Sequence, residues 1–188
     1  MKRITWIILL WGFALPLLKA QSNWRINKEF GQALQLLNAE VMPPLDGAYK
    51  TYNPARNNTQ NCQWALRSRK ERLEIRYLAT PLSAQKHTRK YPAIAAHRLA
   101  MHICSNEEDA IITARDLSAH EQEVLYNADW GRVYIFPPKL DFSPYTYCKM
   151  VALYKEGKGM AYIFNLFDNP SPNIDSRLYS FRFMEEDY

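Results

Sequence analysis

Apolar side chains recur at Phe30, Ala33, Leu34, Leu37 and Val41, the i, i+3, i+4, i+7 spacing that gives a helix one hydrophobic stripe, with Asn27 standing where a cap is wanted. Met42-Pro43-Pro44 stops that helix, because proline lacks the amide that a further turn needs. Leu45-Asp46-Gly47 reads as a turn, and Ala48 to Tyr52 as a short strand before the polar loop Asn53 to Gln60. The clearest period-two segment is Glu71 to Ala79. It sets Leu73, Ile75 and Tyr77 on one face and Arg72, Glu74 and Arg76 on the other, the pattern of a half-buried strand with its charges in water.

Pro92 suits the first turn of a helix that Ile94, Ala95, Ala96, Leu99, Ala100, Met101 and Ile103 carry to about Cys104. Ala110 to Ala114 reads as a strand, and Ser118 with Glu121 forms a capping box opening a short helix, Ala119 to Asn127. The rest is strand-rich: Arg132 to Phe136, Tyr147 to Tyr154 and Met160 to Phe167, the last two joined across Lys155-Glu156-Gly157-Lys158-Gly159 as a hairpin. Asn169 to Asn173 is a loop, and Leu178 to Met184 an edge strand. Helices mixed with antiparallel hairpins predict an α+β fold, an antiparallel sheet packed by two or three helices. No linker or repeat divides it.

The N-terminus changes the charge picture. Met1-Lys2-Arg3, the apolar run Ile4 to Leu18 and the small residue Ala20 are the three parts of a secretory signal peptide, so residues 1–20 are expected to be cleaved and 21–188 to form a single exported domain, periplasmic or secreted. The apolar run falls short of the roughly 20 residues that span a bilayer, and no later segment reaches that length. The whole chain of 188 residues carries a net charge of +5, and without Lys2, Arg3 and Lys19 this falls to +2. Residues 21–104 hold 13 Lys and Arg against 5 Asp and Glu, and residues 105–188 hold 8 against 14, so the two halves are expected to attract. The basic runs Arg67 to Arg72 and Lys86 to Lys90 could face an anionic partner, but blocks of one sign are more often a solvated surface. Nucleic acid is not expected as a partner.

Cys62, Cys104 and Cys148 are an odd set. Export permits a disulfide, and a Cys62–Cys148 bridge, 86 positions apart, would contribute on the order of 4–5 kcal/mol through chain entropy; sequence leaves all three pairings open. A zinc reading takes His97, His102 and Cys104, yet five residues on a helix separate the two imidazoles by about 140° around the axis. A nucleophile reading takes Cys62 in Asn61-Cys62-Gln63-Trp64-Ala65, which resembles exported cysteine peptidases and cell-wall amidases that set a thiolate beside an aromatic at a helix start, with a distant histidine. The histidine of those enzymes opens a strand, whereas His97, His102 and His120 fall in helical stretches. No Gly-x-Ser-x-Gly, phosphate loop or His-Glu-x-x-His occurs, and no cofactor is implied. Asn57-Asn58-Thr59 fits a glycosylation sequon on an exposed loop.

The most distinctive stretch is Tyr126 through Asp129-Trp130-Gly131-Arg132, followed by Phe136-Pro137-Pro138-Lys139 and Phe142-Ser143-Pro144-Tyr145. Trp130, Tyr145 and Tyr147 could supply flat apolar contacts, and Asp129 and Arg132 polar specificity, in a recognition site; a packed structural corner is the alternative. With the signal peptide and the Tyr154 to Tyr162 hairpin, this stretch resembles exported bacterial proteins with a domain of unknown function, over about Glu71 to Asp168. The resemblance implies no activity. The expectation is a non-catalytic binding or interaction module, whose partner is an envelope protein or a small ligand. The second reading is a secreted hydrolase working through Cys62 or through a metal on His97, His102 and Cys104.

Overall fold

The computed structural model describes residues 25–82 and 91–185. The expected signal peptide, His87 and the basic run Lys86 to Lys90 lie outside the described residues. Helix α1 (Lys28–Leu37) is capped as the sequence asks, the Asn27 side chain accepting the Phe30 amide at 2.8 Å. It ends before Val41, because Asn38 turns left-handed at φ 49° and the chain then extends into strand β1 (Ala39–Val41).

Strands β2 (Lys50–Thr51), β3 (Trp64–Ser68) and β4 (Leu73–Pro81) come next, then helix α2 (Pro92–Ile103) and strand β5 (Thr113–Asp116). A π-helical turn, Glu121–Tyr126, replaces the expected α-helix and leads to strands β6 (Trp130–Phe136), β7 (Tyr147–Lys155) and β8 (Gly159–Phe167). Helix α3 (Pro172–Leu178), which takes in the end of the expected loop, precedes strand β9 (Phe181–Phe183), which lies within the expected edge strand Leu178 to Met184. One antiparallel sheet runs β2-β3-β4-β8-β7-β6-β5, and β1 pairs with β9 in a separate two-stranded ribbon. The fold is α+β, with helices against a mostly antiparallel sheet.

The sheet is covered on both sides, which sequence alternation alone does not foretell. One core joins Phe30, Leu34 and Leu37 of α1, Ile174 and Leu178 of α3, and Phe181 and Phe183 to Leu73, Ile75, Tyr77 and Ile163. The other places Ala96, Ala100 and Ile103 of α2, with Phe142, on Tyr134, Phe136, Met150, Phe164 and Leu166. Every residue of β8 is therefore buried, as expected of a central strand packed on two faces. At the β4 end of the second face, the side chains are charged rather than apolar.

Candidate binding site

Strand β4 carries that charge inward. Glu74 is 0% exposed and Arg76 3% exposed, so of the face read as solvated only Arg72, ahead of the strand, is exposed. Antiparallel register places Arg67 of β3 opposite Glu74. Glu74 Oε2 accepts Arg67 Nε at 2.9 Å and Nη2 at 2.6 Å, and Oε1 accepts Arg76 Nε at 2.6 Å. Arg76 Nη1 donates to the Phe142 carbonyl at 2.6 Å. The Arg67 guanidinium lies 3.5 Å from the centre of the Tyr52 ring, and that of Arg76 4.8 Å from the Phe142 ring. Buried charge is tolerated only when paired and hydrogen-bonded, and here one carboxylate serves two guanidiniums.

Beside this cluster opens a cavity of about 430 Å³, lined by Tyr52, Arg56, Cys62, Gln63, Trp64 and Arg76, with the Asn53–Asn57 segment and Glu29 as further wall. Its rim is the loop between β2 and β3, and asparagines give that loop its shape. Asn57 Oδ1 accepts the Gln60 amide at 2.7 Å and Asn61 Oδ1 the Asn57 amide at 3.1 Å, local side-chain-to-backbone bonds that favour turns over regular structure. Asp141 pins the loop tip, one carboxylate oxygen accepting from Asn58 N at 2.9 Å, Thr59 N at 3.0 Å and Thr59 Oγ1 at 3.0 Å. His102 Nε2 meets the Thr59 carbonyl at 2.7 Å. The sequon asparagine, Asn57, is thus half-buried and engaged rather than displayed.

Floor residues are fixed from below. Gln63 bridges to β4, receiving the Ala79 amide at 2.7 Å and donating to the Ala79 carbonyl at 3.1 Å. Asn27 donates to the Gln63 carbonyl, and Trp64 Nε1 to the Arg25 carbonyl at 2.9 Å. Trp64 stacks on Phe30 with centroids 5.5 Å apart.

The chemistry expected of Cys62 is not assembled. Cys62 leads into strand β3, not a helix, which removes the basis of the amidase resemblance. Burial pushes its thiol up to about 12, with Arg76 offsetting only part of that, so the thiolate a nucleophile requires is suppressed near neutral pH. The described histidines stand elsewhere: His97 against Tyr134, His102 on Thr59, and His120 ahead of the π-turn. Among the described residues, no group of three or more His, Cys, Asp and Glu side chains could hold a metal ion; the spread of His97 and His102 around α2, with Cys104 buried past its end, is the geometric reason. None of the three pairings left open by the sequence, Cys62–Cys148 included, is formed, and all three cysteines are free thiols. Cys148 sits in the core on β7, where burial holds its thiol well above the ordinary range.

The five residues expected to form one recognition site are divided. Asp129 accepts Lys155 Nζ at 3.1 Å and the Glu156 amide at 2.7 Å, closing the β7–β8 turn. Trp130 pairs with Tyr154 in the ladder, and Arg132, bonded to Asp116 at 2.6 Å, lies 5.9 Å from the Trp130 ring. Tyr147 stands at the other end of β7, stacked on Phe167 at 5.7 Å; seven residues of strand separate it from Tyr154 by about 23 Å. Tyr145 belongs to the charged cluster, its phenol raised by burial and then by Glu74. Sequence reading misses Arg76, Arg56 and Tyr52. The available signal is that Arg67, Glu74 and Arg76 all fall on one face of a β3–β4 hairpin, but β3 itself carries no alternation that would mark it as a strand.

No protein-family model matches the chain, and neither a curated protein nor a solved structure matches it.

Proposed function

We propose that this is an exported, non-catalytic binding module that takes a small polar ligand in the cavity between the Asn53–Gln63 loop and strands β3 and β4. One observation carries the reading: a concave site of about 430 Å³, within the roughly 300–1,000 Å³ usual for ligand pockets, built against a buried guanidinium. Support for binding over chemistry comes from the suppressed Cys62 thiolate and from His97 and His102 facing Tyr134 and the Thr59 carbonyl. Concavity favours a small molecule over an envelope protein, which wants a broader and flatter surface. Export rests on the residues 1–20 pattern, and N-terminal sequencing of the protein recovered from its host should begin at Gln21. Among the described residues, no helix is long and apolar enough to cross a membrane.

Ligands that bind only the folded state raise its melting temperature by mass action. A thermal-shift screen of small polar metabolites should give stabilising compounds that lose their effect in Ala55→Trp, whose indole would fill the cavity from an exposed loop position. Hits that stabilise both proteins equally bind elsewhere and would remove the proposal.

A further inference from the structure

We infer that the β3–β4 turn, together with the loop ahead of β2, is a contact surface for an anionic lipid bilayer. The cavity reading plays no part in this. What matters is which charges of the run Arg67 to Arg72 are spent inside the fold and which are left in water. Arg67 is spent on Glu74. Glu71, the acid of the run, is drawn inward: its side chain is 10% exposed, and it takes Arg177 Nε at 3.0 Å, Arg177 Nη2 at 2.6 Å and the Tyr49 hydroxyl. Arg69, Lys70 and Arg72 are exposed and, among the described residues, form no ion pair. Lys50, opposite Arg67 in the β2–β3 ladder, adds a fourth exposed cation.

The surface is braced from behind. Ser68 Oγ donates to the Gly47 carbonyl and accepts the Glu71 amide at 3.1 Å, and Arg177 ties Glu71 to Asp46 at 2.9 Å. Arg72 closes the turn at φ 51°, a conformation uncommon outside glycine and asparagine. The turn and the loop ahead of β2 are thereby fastened together, and that loop displays Leu45, 82% exposed, next to Asp46.

Neighbouring carboxylates temper these cations without cancelling them. Asp46 is bonded to Arg177, which holds its carboxyl low, with Lys70 acting from further away. Asp168, one step past the Leu73↔Phe167 pair, takes the Thr146 amide at 3.1 Å and its hydroxyl at 3.2 Å. Lys50, Arg69, Lys70, Arg72 and Arg177 against Asp46, Glu71 and Asp168 are five against three, leaving two positive charges, while Arg67 offsets Glu74.

A soluble polyanion would satisfy the cations but gives Leu45 nothing. A bilayer answers both features: anionic headgroups attract Lys and Arg held at the surface, and an apolar side chain among them gains by entering the boundary between headgroups and acyl chains. One leucine with a few cations makes a reversible contact, not an anchor.

The test is flotation of the protein recovered from its host with vesicles of phosphatidylcholine, alone or with one-third phosphatidylglycerol, beside calorimetry with dextran sulfate as a soluble polyanion. The protein should float with the anionic vesicles only, and should be released in about 1 M salt, where the screening length falls to about 3 Å. Lys70→Ser should weaken vesicle binding by about fivefold, the factor for one cation near an anionic surface. Arg98→Gln, an equal loss of charge from exposed α2, should leave it unchanged. Leu45→Ser should weaken vesicle binding several-fold and leave dextran sulfate binding as it was. Failure to float, or equal flotation with neutral vesicles, overturns the inference. Equal losses in Arg98→Gln and Lys70→Ser overturn it in favour of net charge, and vesicle binding indifferent to Leu45→Ser overturns it in favour of a soluble polyanion. The altered side chains are exposed, and unchanged melting temperatures check that the variants fold. None of these outcomes bears on the thermal-shift screen of the cavity.

Discussion

The two partners of Glu74 are not equivalent to it, and removing each should show this. Taking away the carboxylate leaves Arg67 and Arg76 facing one another with only the Phe142 carbonyl to receive them, the situation in which a broken buried pair costs about 3–5 kcal/mol. Glu74→Leu should lower unfolding stability by that order in urea titrations. Arg76→Met leaves Glu74 its two bonds from Arg67; it should cost clearly less. Equal losses would mean that the trio is not organised around Glu74. Glu121 is a carboxylate of another kind, held at the surface by Arg115, with bonds of 2.8 and 3.0 Å, and by the Ser118 amide at 2.8 Å. Its pKa is lowered to about 2, first by Arg115, against roughly 4.3 in an unfolded chain. A folded value below the unfolded one contributes stability that is complete above the unfolded pKa and fades as pH falls through the folded one. The stability gap between the native protein and Glu121→Gln should thus hold from pH 7 to about 5 and close between about 4 and 2. A gap independent of pH would place the effect in packing.

Elements are legible where pattern and packing agree. The β7–β8 hairpin is readable because Gly157, at φ 73°, and Gly159, at φ 141°, occupy backbone conformations few other residues accept, and a side chain at Gly159 would collide with the Thr80 carbonyl. The Ser118–Glu121 capping box forms as read. It opens a π-turn instead of an α-helix, and the wider coil lets Leu125 and Tyr126 both reach the first core before Asn127 turns left-handed at φ 48°. Periodicity cannot announce a one-residue insertion of that kind. Strand β1 is hidden because Val41 keeps the helical beat although Asn38 has ended the helix. The cavity is hidden for a different reason: its loop is shaped by Asn57, Asn61 and a carboxylate 82 residues away from Thr59, and no local pattern registers a distant partner. Asp141→Ala removes all three acceptor bonds at the loop tip and should raise hydrogen exchange at Asn58 and Thr59 by about tenfold or more, one bond's worth of protection. Exchange in β4 and β8 should stay unchanged; acceleration there as well would show that the loop holds the sheet, not only the cavity rim.

Across the full fold, the segregated charge of the sequence invites an electrostatic account of how the halves meet, and the described ion pairs do not bear it out. Arg67 and Arg76 pair with Glu74 within the first half; Arg115, Arg132, Lys149 and Lys155 pair with Glu121, Asp116, Asp175 and Asp129 within the second. The described pairs that cross run the other way, from Arg177 of the acidic half to Glu71 and Asp46 of the basic half. The physical seam is the β4–β8 ladder, nine residue pairs from Leu73↔Phe167 to Pro81↔Gly159, buried on one side under α1 and flanked on the other by Phe164 and Leu166. Apolar burial is indifferent to moderate salt, whereas exposed charges separated by more than about 3 Å are screened in 1 M salt. If the seam joins the halves, urea unfolding in 0.05 M and in 1 M sodium chloride should give stabilities within about 1 kcal/mol, the scale of the exposed pairs. A fall of several kcal/mol in high salt would return the joining force to the charge asymmetry. The same logic governs fragments: residues 21–104 and 105–188 produced separately should each remain unfolded, since each would expose one bank of the ladder, and should recover a common fold on mixing in 1 M salt as well as in dilute buffer. Recovery confined to dilute buffer would show that charge, not the β4–β8 ladder, brings the two halves together.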